Sequence, residues 1–294
     1  VERFHLEAEF EFSGDPDPTV YWAALDITSW NAENGKGSGC SIDGTGLIDV
    51  AISTRDISAD MLGSSIGIKE ALLGFTLDGA VPIGLYGYVY TSGELSFEAL
   101  VLSDMGLEAG VGLIENYLGA KATARFDGYT LSAAFYFGKS CDYTVLKRLD
   151  PEVAEFLGDR DGLTGVYVRG SAEVPIWDNS CLLRVGVGCD VGAWYFADPP
   201  ATFGGLLGGS AYGRVACIAA LKGSITLMGT KIGEEYQFSG TGWGAGGIGF
   251  CEPSEWKNIS KSRADGWCLT GDASFGAEYK GGWKLDGPDV DCCF

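Results

Sequence analysis

The chain has 294 residues, of which 46% are hydrophobic and 46 are glycine, enough apolar mass to bury a core and too much for a disordered segment. The glycines keep no triplet period, which excludes collagen. Forty acidic against twenty basic residues leave a formal charge of −20, which repels nucleic acid and anionic membrane surfaces and leaves cationic partners, divalent metals and glycans open.

In chain order, Phe4-His5-Leu6-Glu7-Ala8-Glu9-Phe10-Glu11-Phe12 alternates apolar with charged residues, the pattern of a half-buried strand with one wet face. Ser13 to Pro18 breaks it, Val20 to Thr28 opens a second strand, and strands follow near 47–53 and 74–77. The segment Asp60 to Leu73 reads as holding a helical turn. Hairpins are predicted around Thr91-Ser92-Gly93-Glu94, Asp127-Gly128, Lys222-Gly223 and Lys280-Gly281-Gly282. Asp-Gly is the strongest of these, because both residues tolerate the positive φ of a type I′ turn. Repeated short hairpins predict an antiparallel meander rather than βαβ crossovers.

One helix is predicted, over Thr144 to Leu157, with Val145, Leu146, Leu149, Val153 and Phe156 on one stripe. Pro151 lacks an N–H and is expected to divide it in two. The run Gly158 to Gly162 marks a boundary between halves 1–158 and 159–294. Phe75 to Ile83 echoes Val166 to Ile176, consistent with a duplicated β unit. In Val185 to Tyr195, the glycines 186, 188 and 192 share one face, which predicts a flat surface against another sheet or subunit.

Nine cysteines, Cys40, Cys141, Cys181, Cys189, Cys217, Cys251, Cys268, Cys292 and Cys293, form no C-x-x-C, and His5 is the one imidazole. They are expected to form disulfides in an oxidising compartment, with one thiol left over. Asn258 heads an Asn-Ile-Ser glycosylation sequon. Asp159 and Asp161 resemble the opening of a calcium loop but lack the closing Glu, so a structural calcium is a candidate and no other cofactor is expected. Gly244 to Gly249 spells G-x-G-x-x-G, yet no helix pattern follows to receive a phosphate. One histidine gives Ser-His-Asp chemistry little material, and His5 reads as a solvated strand residue. Trp30, Trp243, Trp256 and Trp267 lie in polar or glycine-rich stretches where sugar stacking is conceivable. Beginning at Val1 without Met, the chain reads as a processed product or a fragment. No apolar run is long enough for a membrane helix, so no helical membrane protein is expected.

Between Gly165 and Ser260, the strings Gly165-Val166-Tyr167-Val168-Arg169-Gly170, Val174-Pro175-Ile176, Ala193-Trp194-Tyr195-Phe196 and Met228-Gly229-Thr230-Lys231 resemble the C-terminal region of large, exported, uncharacterised bacterial proteins. That resemblance implies an exported, modular β protein and brings no site residues with it.

The expectation is an all-β, mainly antiparallel fold, a glycine-rich hairpin meander forming a β-sandwich or two related β units with a short helical insert near 144–158. The expected role is an extracellular or cell-surface structural module without catalysis, whose partners are copies of itself, other surface proteins or a glycan, and not nucleic acid. The alternatives are a carbohydrate-binding module, a carboxylate-based glycoside hydrolase and an outer-membrane β-barrel. Against the barrel, Gly287 to Phe294 does not read as an alternating terminal strand, and such barrels rarely carry nine cysteines.

Overall fold

The computed structural model of the chain describes residues 2–11, 20–30, 47–61, 64–158, 160, 162–179, 183–215 and 219–249, together with the backbone of 268–280 and 283–293. The strands are β1 (Glu2–Glu11), β2 (Val20–Trp30), β3 (Leu47–Met61), β4 (Ser64–Asp78), β5 (Val81–Phe97), β6 (Leu100–Gly112), β7 (Asn116–Phe126), β8 (Tyr129–Ser140), β9 (Leu163–Asn179), β10 (Leu183–Phe196), β11 (Thr202–Val215), β12 (Ala219–Ile232), β13 (Glu235–Gly249), β14 (Cys268–Lys280) and β15 (Trp283–Cys293). Two helices, α1 (Thr144–Leu149) and α2 (Pro151–Leu157), stand between β8 and β9. Each strand is hydrogen-bonded to its neighbours in sequence, so sheet order is chain order. The fold is therefore the expected antiparallel, all-β meander, in one hydrogen-bonded sheet. Its turns are short: 79–80, 98–99, 127–128 and 233–234 each join two strands, and two residues leave no chain for a crossover.

Local chemistry explains where the turns fall. Asp127 (φ 47°) and Gly128 (φ 82°) adopt the paired positive dihedrals of a type I′ hairpin. Two predicted turns are corrected. Thr91 to Glu94 lies inside β5, where the register jumps between Tyr90 and Glu94 and Gly93 takes φ 79°, so the tetrapeptide is absorbed as a bulge. Lys222-Gly223 lies inside β12, where Lys222 pairs with Tyr212 on one side and Ala245 on the other. Pairing along both edges outweighs the local turn propensity, and the chain turns instead at Gly233 (φ 59°). The helical turn expected within Asp60 to Leu73 does not form among the described residues: β3 runs to Met61 and β4 starts at Ser64, with Ile57 opposite Ile68.

The helical insert forms as its sequence predicts. Asp150 ends α1 and caps α2, its carboxylate accepting from the Val153 N–H at 3.1 Å, with Pro151 at the first helical position where no N–H is needed. Gly287 to Cys293, expected not to form an alternating terminal strand, lies within β15. Gly287 and Pro288 fall in a register shift, between Asp286 opposite Gly276 and Asp289 opposite Ser274. A bulge is where a strand tolerates a residue without an N–H. The echoing segments take different structures, since 75–83 spans the β4–β5 turn and 166–176 lies within β9.

The chain forms two compact units that interleave along the sequence: Val1–Arg125, Ser132–Val168 and Tyr195–Pro199 make unit 1, and Phe126–Leu131, Arg169–Trp194 and Pro200–Phe294 make unit 2. In unit 1 the apolar stripes of α1 and α2 are buried with Tyr117, Tyr136, Leu163 and Tyr167. A side chain at Gly119 of β7 would meet the Leu149 methyl at 2.9 Å, so the strand and α1 touch closely. Each buried aliphatic side chain of that stripe contributes about 1.5–3 kcal/mol. In unit 2 Trp194, Leu206 and Met228 are buried. The Trp194 indole donates to the Thr230 hydroxyl at 3.2 Å, which donates in turn to the Phe203 carbonyl at 3.1 Å.

Candidate functional site

The register joins side chains of adjacent strands into rows, and successive rows face opposite sides of the sheet. In unit 1, Ala23–Thr54–Ala71–Val89–Leu107, Leu25–Ile52–Leu73–Gly87–Ala109 and Ile27–Val50–Phe75–Leu85–Val111 run across β2 to β6. None contains a charge. These rows are on the more exposed side: Leu73 is at 61% and Val111 at 60% of full exposure, Ile52, Phe75, Leu85 and Leu107 are also exposed, and the members on β2 are half-buried. Ala24–Ser53–Leu72–Tyr88–Glu108 lies between the first two and Thr28–Asp49–Thr76–Gly84–Gly112 next to the third, and in these Ala24, Glu108, Asp49 and Thr76 are buried. Unit 2 repeats the inversion. Leu207 and Leu227 pair on the exposed side, whereas Thr202, Thr230 and Gln237 are buried. The Arg169–Asp190 pair (Nε to Oδ1 3.0 Å) and the Lys222–Glu173 pair (3.1 Å) are part-buried on the same side of unit 2 as Tyr212 and Ser210.

Glycine on the covered side seats aromatic rings. Side chains at Gly74, Gly106 and Gly110 would collide with the rings of Tyr86, Tyr90 and Tyr117, and one at Gly186 would collide with Tyr212. The flat face expected from Gly186, Gly188 and Gly192 is this covered side; Val187, Cys189, Val191 and Tyr195 of β10 are exposed.

Unit 1 holds a half-open cavity of about 600 Å³ on its covered side. Asp26, Asp49, Glu115 and Asp142 line it together with Arg3, Arg148 and the hydroxyl-bearing residues Tyr86, Tyr88, Tyr117 and Thr144. At its edge α1 is tied to the sheet. Arg148 reaches Glu108 Oε2 at 2.7 Å through its terminal nitrogen and at 3.3 Å through Nε, and its guanidinium lies 4.2 Å over the Tyr88 ring. The Tyr90 hydroxyl donates to the other Glu108 oxygen. Burial works against the Arg148 charge, but the Glu108 carboxylate beside it prevails and holds the guanidinium above its ordinary pKa. Both Glu108 oxygens are occupied, so this fully buried group anchors α1 and is not presented as a catalytic acid. A second tie joins the helices to β9, where the Tyr167 hydroxyl donates to Asp150.

The residues singled out from sequence fare unevenly. Asp159, Asp161 and Asn258 lie outside the described residues, as do Trp256, Trp267, Cys40, Cys181, Cys217 and Cys251. Cys268, Cys292 and Cys293 are described only as backbone in β14 and β15, and the side chains of Trp30 and Trp243 are likewise not described. Cys141 is buried, and Cys189 is an exposed free thiol. Gly244 to Gly249 is part of strand β13. His5 is bridged rather than freely solvated, its ring nitrogens 2.8 Å from Asp26 Oδ1 and 2.8 Å from Glu7 Oε1. Among the described residues no three metal-ligating side chains converge, and no helix is long and apolar enough to cross a membrane. Sequence reasoning missed Glu108 and Arg148. The available signal was Gly106-Leu107-Glu108-Ala109-Gly110, a lone carboxylate on the glycine-lined face of a strand.

No protein-family model, curated protein or solved structure matches the chain.

Proposed function

We propose that the chain is an integral membrane β-protein of the outer-membrane type, its uncharged rows against lipid and its polar rows facing water. One observation carries this reading: apolar rows lie on the exposed side while buried carboxylates and ion pairs lie on the other. In a water-soluble antiparallel sheet the polarity runs the other way. A contiguous exposed apolar surface on this scale needs an occupant.

Strand length supports hydrocarbon as that occupant. The 13 residues of β6, at about 3.4 Å each, reach about 44 Å, or about 31 Å along the membrane normal at the tilt of about 45° usual for such strands. Exposed aromatics stand at strand ends, where girdles form at the lipid–water interface. Phe126 and Tyr129 flank the Asp127-Gly128 turn, and Phe97 ends β5. Near the Gly233 turn, Lys231 lies over the Tyr236 ring at 5.6 Å, as a cation held at the headgroups would. The acidic excess then belongs to the water-facing rows and the connections.

The test is to refold the chain into vesicles containing brominated lipid, wash with urea, and float the vesicles. Quenched tryptophan fluorescence and heat-modifiable migration in SDS are the expected results. A monodisperse monomer in detergent-free buffer, unquenched and unfloated, overturns the reading. Large detergent-free assemblies that do not float would instead support a self-associating surface module, which hides the same face against its own copies.

A further inference from the structure

Resting on the membrane reading, we infer that the α1–α2 insert is an internal constriction of a water-filled path for small hydrophilic solutes, latched to the sheet by the Arg148–Glu108 pair. The helices lie on the covered, polar side of unit 1: α1 meets Gly119 and Glu108 there, and Tyr167 of β9 holds the α1–α2 junction through Asp150. If the opposite side faces lipid, this side faces water, and the insert stands in that water. The 600 Å³ half-open cavity is lined by sheet residues such as Asp49, Tyr86 and Tyr117 and by Thr144 and Arg148 of α1, so charged and hydroxyl-bearing side chains face one another across the gap between helix and sheet.

The insert is a fixture and not a free loop. Its apolar stripe is buried, and Glu108 lies 40 residues from Arg148 in sequence, in the strand beneath. The latch is electrostatic and fully desolvated on the Glu108 side (0% exposed). Among the described residues, removing Glu108 leaves Arg148 only its longer 3.6 Å ion pair with the exposed Asp142, and removing Arg148 leaves a buried carboxylate held by the Tyr90 hydroxyl alone. Glu108 is a positioning residue in this account, buried and outside the cavity lining, whereas Arg148 both holds α1 in place and lines the passage.

Single-channel recording in planar bilayers tests the inference on the full chain. One variant replaces residues 143–158 by a short Gly-Ser linker; the others are Glu108→Gln and the reversed pair Glu108→Arg with Arg148→Glu. Clearing a helix of about 10 Å diameter should raise unit conductance about two-fold or more and admit larger neutral polymers. Glu108→Gln should open to the larger level intermittently, and the reversed pair should return toward wild type. A linker variant that inserts, by heat-modifiable migration, yet keeps the wild-type conductance and polymer cut-off overturns the constriction. Should that variant fail to insert, an inserted Glu108→Gln with unaltered single-channel records overturns it equally. A wild-type chain that never inserts refutes the membrane reading itself, a result distinct from either.

Discussion

Leu207 stands near the middle of β11, opposite Leu227 of β12, and is 61% exposed, while its neighbour Leu206 on the other face is 3% exposed. Leu207→Arg therefore separates the two environments this face could meet. Against hydrocarbon, an Arg near the bilayer midplane costs about 2–4 kcal/mol. Against water, an exposed substitution away from caps and ion pairs falls within about 0.5 kcal/mol of neutral. The row through Leu207 carries Leu227 and Gly240 and no acidic partner to relieve the charge. The assay is reversible urea unfolding in thin phosphatidylcholine vesicles, followed by tryptophan fluorescence. At about 1.4 kcal/mol per tenfold change in equilibrium constant, the expected loss is roughly 30- to 1,000-fold in the folding equilibrium constant. Arg at Phe97, at the end of β5, should cost at most about 1 kcal/mol, because strand ends sit at the interface. Equal and negligible costs at both positions would refute the assignment of lipid to the exposed rows.

Three further outcomes follow from the geometry. Gly186→Ala places a methyl about 2.3 Å from the Tyr212 ring and should destabilise unit 2 by about 1–3 kcal/mol through overpacking; Tyr212→Ser should recover most of it, as a double-mutant cycle in urea would show. Cys189 lies on the exposed side of β10 beside Val187 and Val191, so in vesicles it should resist a charged, membrane-impermeant maleimide until the chain is unfolded, as peptide mapping by mass spectrometry would reveal. Rapid labelling of folded, vesicle-bound protein would place that face in water. Asp150→Ala removes the cap on the Val153 N–H and the acceptor of the Tyr167 hydroxyl and should cost about 1–2 kcal/mol from the cap alone; no change in the unfolding midpoint would mean the junction is not held as described.

Much of the fold is legible in the chain because its determinants are local. Alternation in Phe4 to Phe12 marks a strand, Asp127-Gly128 supplies the two positive φ values of a tight hairpin, and Pro151 behind Asp150 ends one helix and starts the next. Where local chemistry competed with pairing, pairing prevailed. Thr91 to Gly93 stayed paired with β4 and bulged away from β6, and Lys222-Gly223 continued as strand because neighbours on both sides satisfied its backbone.

A period of two announces two faces and is silent about which is covered. Read alone, the glycine face of Val185 to Tyr195 and the apolar rows suggest a sandwich core. The tertiary structure covers the glycine face, with Gly186 beneath the Tyr212 ring, but leaves the leucines and valines of the apolar rows exposed. Glu108 and Arg148 likewise become a site only when β6 and α1 are brought together. The sequence by itself determined the strands, most of the antiparallel order and the split helix, since these depend on residues a few positions apart. Only the tertiary structure decided the side on which charge is buried, because that depends on registers and on a helix packed across several strands.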